Sequence, residues 1–211
     1  MHPVPLQMSI VNAIMVAALL SIHDVNYVPI EATSELTTGD RHIYSRLIDC
    51  NYHWKDARHA MFTKKTVLLF ASNSHYTSTA VQLLLRTFAY FDGLNTDPKA
   101  CPWEFLMVQQ LYTDEALRQG LQPHQDDWAI LYPTQWMQRQ QPYIDDSIPQ
   151  AQPQHIDCGL YAILMTMLYR LNIPLSLLTP MQVHRFRQYT AYQIIQDTPL
   201  IDISSFYIPY Q

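Results

Sequence analysis

The sequence predicts an α+β fold, a small, mostly antiparallel sheet packed on helices. Three observations predict it. Residues 66–71, 75–84 and 86–91 are short runs rich in β-branched and aromatic side chains, as strands are. Longer apolar runs, bounded by Pro and Gly, have the length and punctuation of helices. The order helix, strands, helix, strand, helix, helix groups the strands instead of alternating them with helices. At 211 residues, 48% hydrophobic and 15% charged, the chain can bury a core without disulfides or metal. We expect a single domain over residues 1–211.

Taken in order, residues 9–21 read as a helix with apolar residues on most faces, hence buried. The stretch 10–22 falls short of the roughly 18 residues a membrane span needs. Met1 to Ser9 carry no Lys or Arg, against a signal peptide. Residues 25–30 are strand-like, and 34–47 read as a helix capped by Thr33 or Ser34. Residues 66–71 read as a central strand. Residues 75–84 and 86–91 form a hairpin-like pair, with Phe88 and Tyr90 on one face and Gly93 marking the turn after it. Residues 102–120 open on Pro102 and close on Gly120, a helix. Residues 128–132 are a strand candidate, and the Gln- and Pro-rich stretch 135–154 is loop chemistry. Residues 158–171 are a helix, and Thr179-Pro180 cap and open a last one to about Gln196.

The formal net charge of -5 argues against nucleic acid as a partner, which calls for a basic face. Cys50, Cys101 and Cys158 are too few and too odd for a disulfide framework and fit a reducing compartment. His53, His59, His75 and His155 are scattered, with no metal-ligand spacing. We therefore expect no metal or other cofactor, no membrane attachment, and a nuclear or cytoplasmic monomer.

Cys158 carries the most chemistry. It stands in Gln152-Pro153-Gln154-His155-Ile156-Asp157-Cys158-Gly159, immediately before a long apolar run, as a thiol at a helix N-terminus would. A helix N-terminus and a neighbouring imidazolium favour the thiolate, the form that attacks carbonyls. The plain alternative is a small buried hydrophobe, and Cys50 and Cys101 stay with that alternative. His75, at a strand start, could be the base, or simply a loop histidine. Asp92, at the end of the next strand, would neighbour His75 if the two strands pair. It could then orient the imidazole, or merely form a turn before Gly93. Gln152, with the Cys158 N–H, could stabilise an oxyanion, although glutamines are frequent nearby.

In this order the residues resemble the ubiquitin-like-protein-specific cysteine proteases, the SUMO-protease family of clan CE, whose wider group includes the adenovirus protease. In that family one strand starts His-Trp, the next ends Tyr-Tyr/Phe-Asp-Ser-Leu, and a loop reading Gln-x-Asn-x-x-Asp-Cys-Gly opens a helix. Here these are His75-Tyr76, Tyr90-Phe91-Asp92-Gly93-Leu94 and Gln152 to Gly159, with both intervals aligned without a gap. The Phe186-Arg187 pair resembles the family's last helix. The resemblance spans about residues 8–197 and is strongest over 66–196. It implies the adenain/SUMO-protease-like fold, Cys158 as nucleophile, His75 as base, Asp92 as its orienting carboxylate and Gln152 as oxyanion donor. Tyr76 and Gly159 would contact the substrate. The reaction implied is cleavage after the C-terminal Gly-Gly of SUMO or a related, Nedd-like modifier, in its precursor or its conjugates. Three positions depart from the pattern: Tyr76 for Trp, Gly93 for Ser, and Pro5-Leu6-Gln7-Met8 where the family has Trp-Leu-Asn-Asp. A non-catalytic modifier-binding protein of the same fold and a clan-related acetyltransferase are the alternatives.

Overall fold

The structure, a computed structural model, describes residues 11, 14–15, 25–28, 33, 65–72, 75–94, 102–123, 127–136 and 157–196. Five strands form one sheet in the order β1-β2-β3-β4-β5. They are β1 (Val25–Val28), β2 (Lys65–Ser72), β3 (His75–Gln82), β4 (Thr87–Phe91) and β5 (Ala129–Leu131). Among the described residues three helices of defined extent accompany them: α1 (Trp103–Arg118), α2 (Cys158–Arg170) and α3 (Pro180–Ile195). Val11, Ile14, Met15 and Thr33 are also helical. The remainder of the expected helices over 9–21 and 34–47, and most of the loop over 135–154, lie outside the described residues.

The α+β class holds, but the sheet is mixed. The inner pairs β2–β3 and β3–β4 are antiparallel, as expected of hairpins. The outer pairs β1–β2 and β4–β5 are parallel and shorter, so the larger part of the pairing is antiparallel, as expected. Strand patterns carry no direction, whereas connection length does. A parallel neighbour needs a crossover of a dozen or more residues, and the chain between β4 and β5 supplies one containing α1.

Alternation along the strands divides the core in two. Val67, Leu69, Ala89 and Phe91 face α2, α3 and the helical residues Val11, Ile14 and Met15. Leu68, Phe70, Phe88 and Tyr90 face α1. A sheet covered on both sides requires apolar residues at consecutive positions, which is why β2 and β4 read as nearly unbroken apolar runs. α2 is buried from Gly159 to Leu168, so its apolar residues need not keep to one stripe. Ser78 donates to the Ala162 carbonyl at 2.9 Å and lies 2.6 Å from the Thr166 hydroxyl. These bonds fix the level of α2 against β3.

Local chemistry sets the ends. At the β3–β4 turn the Arg86 N–H donates to the Leu83 carbonyl, with Arg86 at φ 49°. Gly120, past α1, takes φ 72°, where a side chain would be strained. α3 begins with a capping box: the Gln182 N–H donates to the Thr179 hydroxyl at 3.3 Å, and the Thr179 N–H donates to the Gln182 side-chain oxygen at 2.7 Å. The Thr33 hydroxyl donates to the Leu69 carbonyl on β2.

Candidate active site

The β3–β4 register sets Ser78 opposite Phe91. Continued by one pair, it brings Asp92 opposite Thr77, beside His75 on the same face of the sheet. The contact is made: His75 Nε2 lies 2.7 Å from Asp92 Oδ1. That oxygen also accepts the Leu94 N–H at 2.8 Å. The two sequence readings of Asp92 are thus compatible, because one carboxylate forms the turn and holds the imidazole. Its burial, at 3% exposure, keeps water from competing for the bond.

α2 starts at Cys158, whose free thiol is half-buried. The thiol is within hydrogen-bonding reach of the His75 ring. With Nε2 directed to Asp92, Nδ1 is the ring nitrogen left for sulfur. The sheet end and the helix end therefore meet at one imidazole, although His75 and Cys158 are 83 positions apart in the sequence (158 minus 75).

The residue before the thiol is held from another element. Both oxygens of Asp157 accept from Arg187 Nη1 on α3, at 2.9 and 2.7 Å. Asp157 occupies the N-cap position of α2, yet its side chain makes no capping bond. An aspartate there normally caps the helix, but Arg187 draws the carboxylate aside. It also sets a positive charge against the negative charge next to Cys158. Gly159 packs closely: a Cβ there would sit 3.0 Å from Val11 Cγ2 and 3.6 Å from the Tyr76 ring. Tyr76, half-buried, therefore lies against the first turn of α2. Gln152 lies outside the described residues, as do Cys50 and Cys101.

Sequence reading missed Glu104. It is in the first turn of α1 and buried, and it accepts a bond from the Thr77 hydroxyl at 2.8 Å. The Tyr90 hydroxyl approaches the same oxygen at 3.4 Å. Burial pushes its carboxyl above the usual range, and the charge of nearby Asp92 pushes the same way. The only sequence signal was an acidic residue in a helix's first turn, a common stabilising placement. Asp157–Arg187 was missed because nothing in the sequence pairs residues across α2 and α3.

His75 is pushed up from 6.5 to about 9, chiefly by its bond to Asp92 and then by its bond to Cys158, against burial. The imidazole is therefore a cation at neutral pH. Because the folded value is the raised one, its contribution to stability is complete below pH 6.5 and is lost as pH rises through about 9. An NMR titration of the His75 ring should show a midpoint near 9, falling towards 6.5 in Asp92→Asn. A wild-type midpoint at or below 6.5 would contradict the assignment.

Among the described residues no cluster of His, Cys, Asp or Glu could hold a metal ion, and no helix is long and apolar enough to cross a membrane. No sequence-family profile matches the chain, and no curated protein matches it in sequence. Solved structures match along nearly its whole length. The SUMO protease Ulp1 with its catalytic cysteine oxidised to a sulfinic acid is 19% identical, with a TM-score of 0.65, over 92% of this chain and 79% of that one. The C-terminal Ulp1 protease domain in complex with Smt3, the yeast ortholog of SUMO, is 18% identical at a TM-score of 0.66, over 92% and 78%. The Ulp1-like SUMO protease catalytic domain of Chaetomium thermophilum is 14% identical at 0.63, over 91% and 72%. What is shared at such identities is architecture, and the architecture of this chain is that of the Ulp1-like SUMO protease catalytic domain.

Proposed function

We propose that the chain is a cysteine peptidase or isopeptidase that cleaves after the C-terminal Gly-Gly of SUMO or a related ubiquitin-like modifier. The observation that carries this reading is one imidazole held at 2.7 Å by a buried carboxylate and set within reach of the thiol that opens a helix. The fold shared with SUMO proteases, one of them bound to Smt3, supports the choice of substrate.

The steps follow from the residues. The Cys158 thiolate attacks the carbonyl carbon of the terminal glycine. Negative charge moves to the carbonyl oxygen, to be met by the Cys158 N–H in the first helical turn and by the Gln152 amide. His75, already an imidazolium, gives its proton to the departing amine. The C–N bond breaks and a thioester remains. The now neutral imidazole takes a proton from water, which attacks the thioester. The modifier leaves with a free carboxylate, and Cys158 and His75 are regenerated. Asp92 holds the ring in one orientation throughout. Tyr76 takes the place of the family's tryptophan over the substrate's glycines. Gly159, without a side chain, lets Tyr76 and Val11 close on the helix start.

Fluorogenic C-terminal amides of SUMO, a Nedd-type modifier and ubiquitin test the substrate class. Cleavage should be fastest for SUMO or the Nedd-type modifier, and absence of cleavage of all three would remove the reading. A second expectation concerns Asp157. Arg187→Gln leaves a carboxylate beside the thiol without its counter-charge. Alkylation of Cys158 by iodoacetamide near neutral pH should then slow roughly tenfold. Asp157→Asn added to Arg187→Gln should restore most of the rate. Unchanged alkylation in Arg187→Gln would make the pair purely structural.

A further inference from the structure

The end of the sheet opposite His75 holds a cavity of about 330 Å³. There the start of β2, the end of β3 and the start of β4 meet the C-terminal end of α2. Its polar lining comes from Lys65, Gln82, Thr87, Tyr169, Arg170 and Asn172, over an otherwise small and aliphatic floor. α2 has 13 residues, which places this cavity about 20 Å from the thiol at its other end. It is not part of the site described above.

Two features of the cavity call for an anion. The charged residues among its described lining are both cations, Lys65 and Arg170, in a chain of net charge -5. Arg170 is half-buried, and its Nε is fully buried without a hydrogen-bond partner. Among the described residues no carboxylate pairs with it. Burial works against its charge and lowers its pKa, and among its neighbours the Tyr169 phenol pulls the other way. A cation withdrawn from water without a counter-charge is unfavourable, and an incoming anion would reverse that.

We infer that this cavity binds a phosphate monoester. A dianionic phosphate matches the two cations, where a carboxylate would leave one in excess. Guanidinium and ammonium are the two groups that proteins set against phosphate, one as a fork and one as a point charge. The Gln82 and Asn172 amides and the Thr87 hydroxyl add neutral donors for a third oxygen. The apolar floor takes the ester's organic body, and the volume suits a small ligand.

Isothermal calorimetry with inorganic phosphate and with propyl phosphate, at constant ionic strength, tests this. Propyl phosphate should bind at one site per chain and more tightly than inorganic phosphate, because only the ester uses the floor. Lys65→Gln removes a cation from an exposed position. Asn172→Asp adds a negative charge at the rim, at a residue whose φ of 56° aspartate tolerates. Each should weaken binding by roughly tenfold or more while the unliganded melting temperature stays put. Inorganic phosphate bound as tightly as the ester would mean an adventitious ion only. No saturable binding, or binding that both variants leave unchanged, would equally overturn the inference. None of these readouts depends on peptidase activity.

Discussion

Cys158→Ala should abolish cleavage and leave modifier binding largely intact. Loss of the nucleophile in a catalytic unit of this kind costs on the order of 10⁵–10⁶ in kcat. No described residue can substitute, since Cys158 is the one free thiol among them. Alanine is a good helix former and removes no packing that α2 depends on, because Cys158 is half-buried at the first helical position. In the proposed function the substitution removes one sulfur atom and leaves the other residues of the site in place. The check is a pair of measurements: turnover of a fluorogenic SUMO amide, and affinity for SUMO by calorimetry. Retained turnover would remove Cys158 from the site.

The second large effect separates the two residues behind the thiol. His75→Ala should approach the cost of losing Cys158, since in the proposed reaction the imidazole both activates the sulfur and supplies the proton to the leaving amine. Asp92→Asn should cost roughly tenfold to a hundredfold less, because the carboxylate orients the ring and never carries the proton. Asparagine can still accept the Leu94 N–H, so the turn survives. What changes is the charge that raises His75 to about 9. The alkaline fall of kcat/KM, set near pH 9 by loss of the imidazolium, should move to lower pH in Asp92→Asn. Equal losses in the two variants with an unmoved alkaline limb would contradict these roles.

Much of the geometry of the candidate site was legible because its parts are local signals. A thiol before an apolar run marks a helix start, and α2 does begin at Cys158. Two apolar runs separated by a short turn mark a hairpin, and the hairpin brings His75 to Asp92. Thr179-Pro180 spelled out the start of α3. The outer strands were harder, because β1 and β5 are short and their direction depends on distant crossovers. Arg187 was visible as part of a recurring pair, but its partner is 30 residues away on another element. Glu104 and the Arg170 cavity were invisible for the same reason: burial of a charge is a property of the packed chain, not of any window of sequence. Gln152 keeps its place in the proposal by its spacing from Cys158 alone.

In the proposed function the Cys158 thiol, activated by His75, receives the C-terminal glycine of a ubiquitin-like modifier. A SUMO or Nedd-type modifier carrying an electrophile in place of its terminal carboxylate tests it directly, read by intact mass and peptide mapping. A single adduct on Cys158 is expected, forming at neutral pH and lost in His75→Ala. An adduct on another residue, or none with SUMO, Nedd-type or ubiquitin probes on a folded protein, would contradict it.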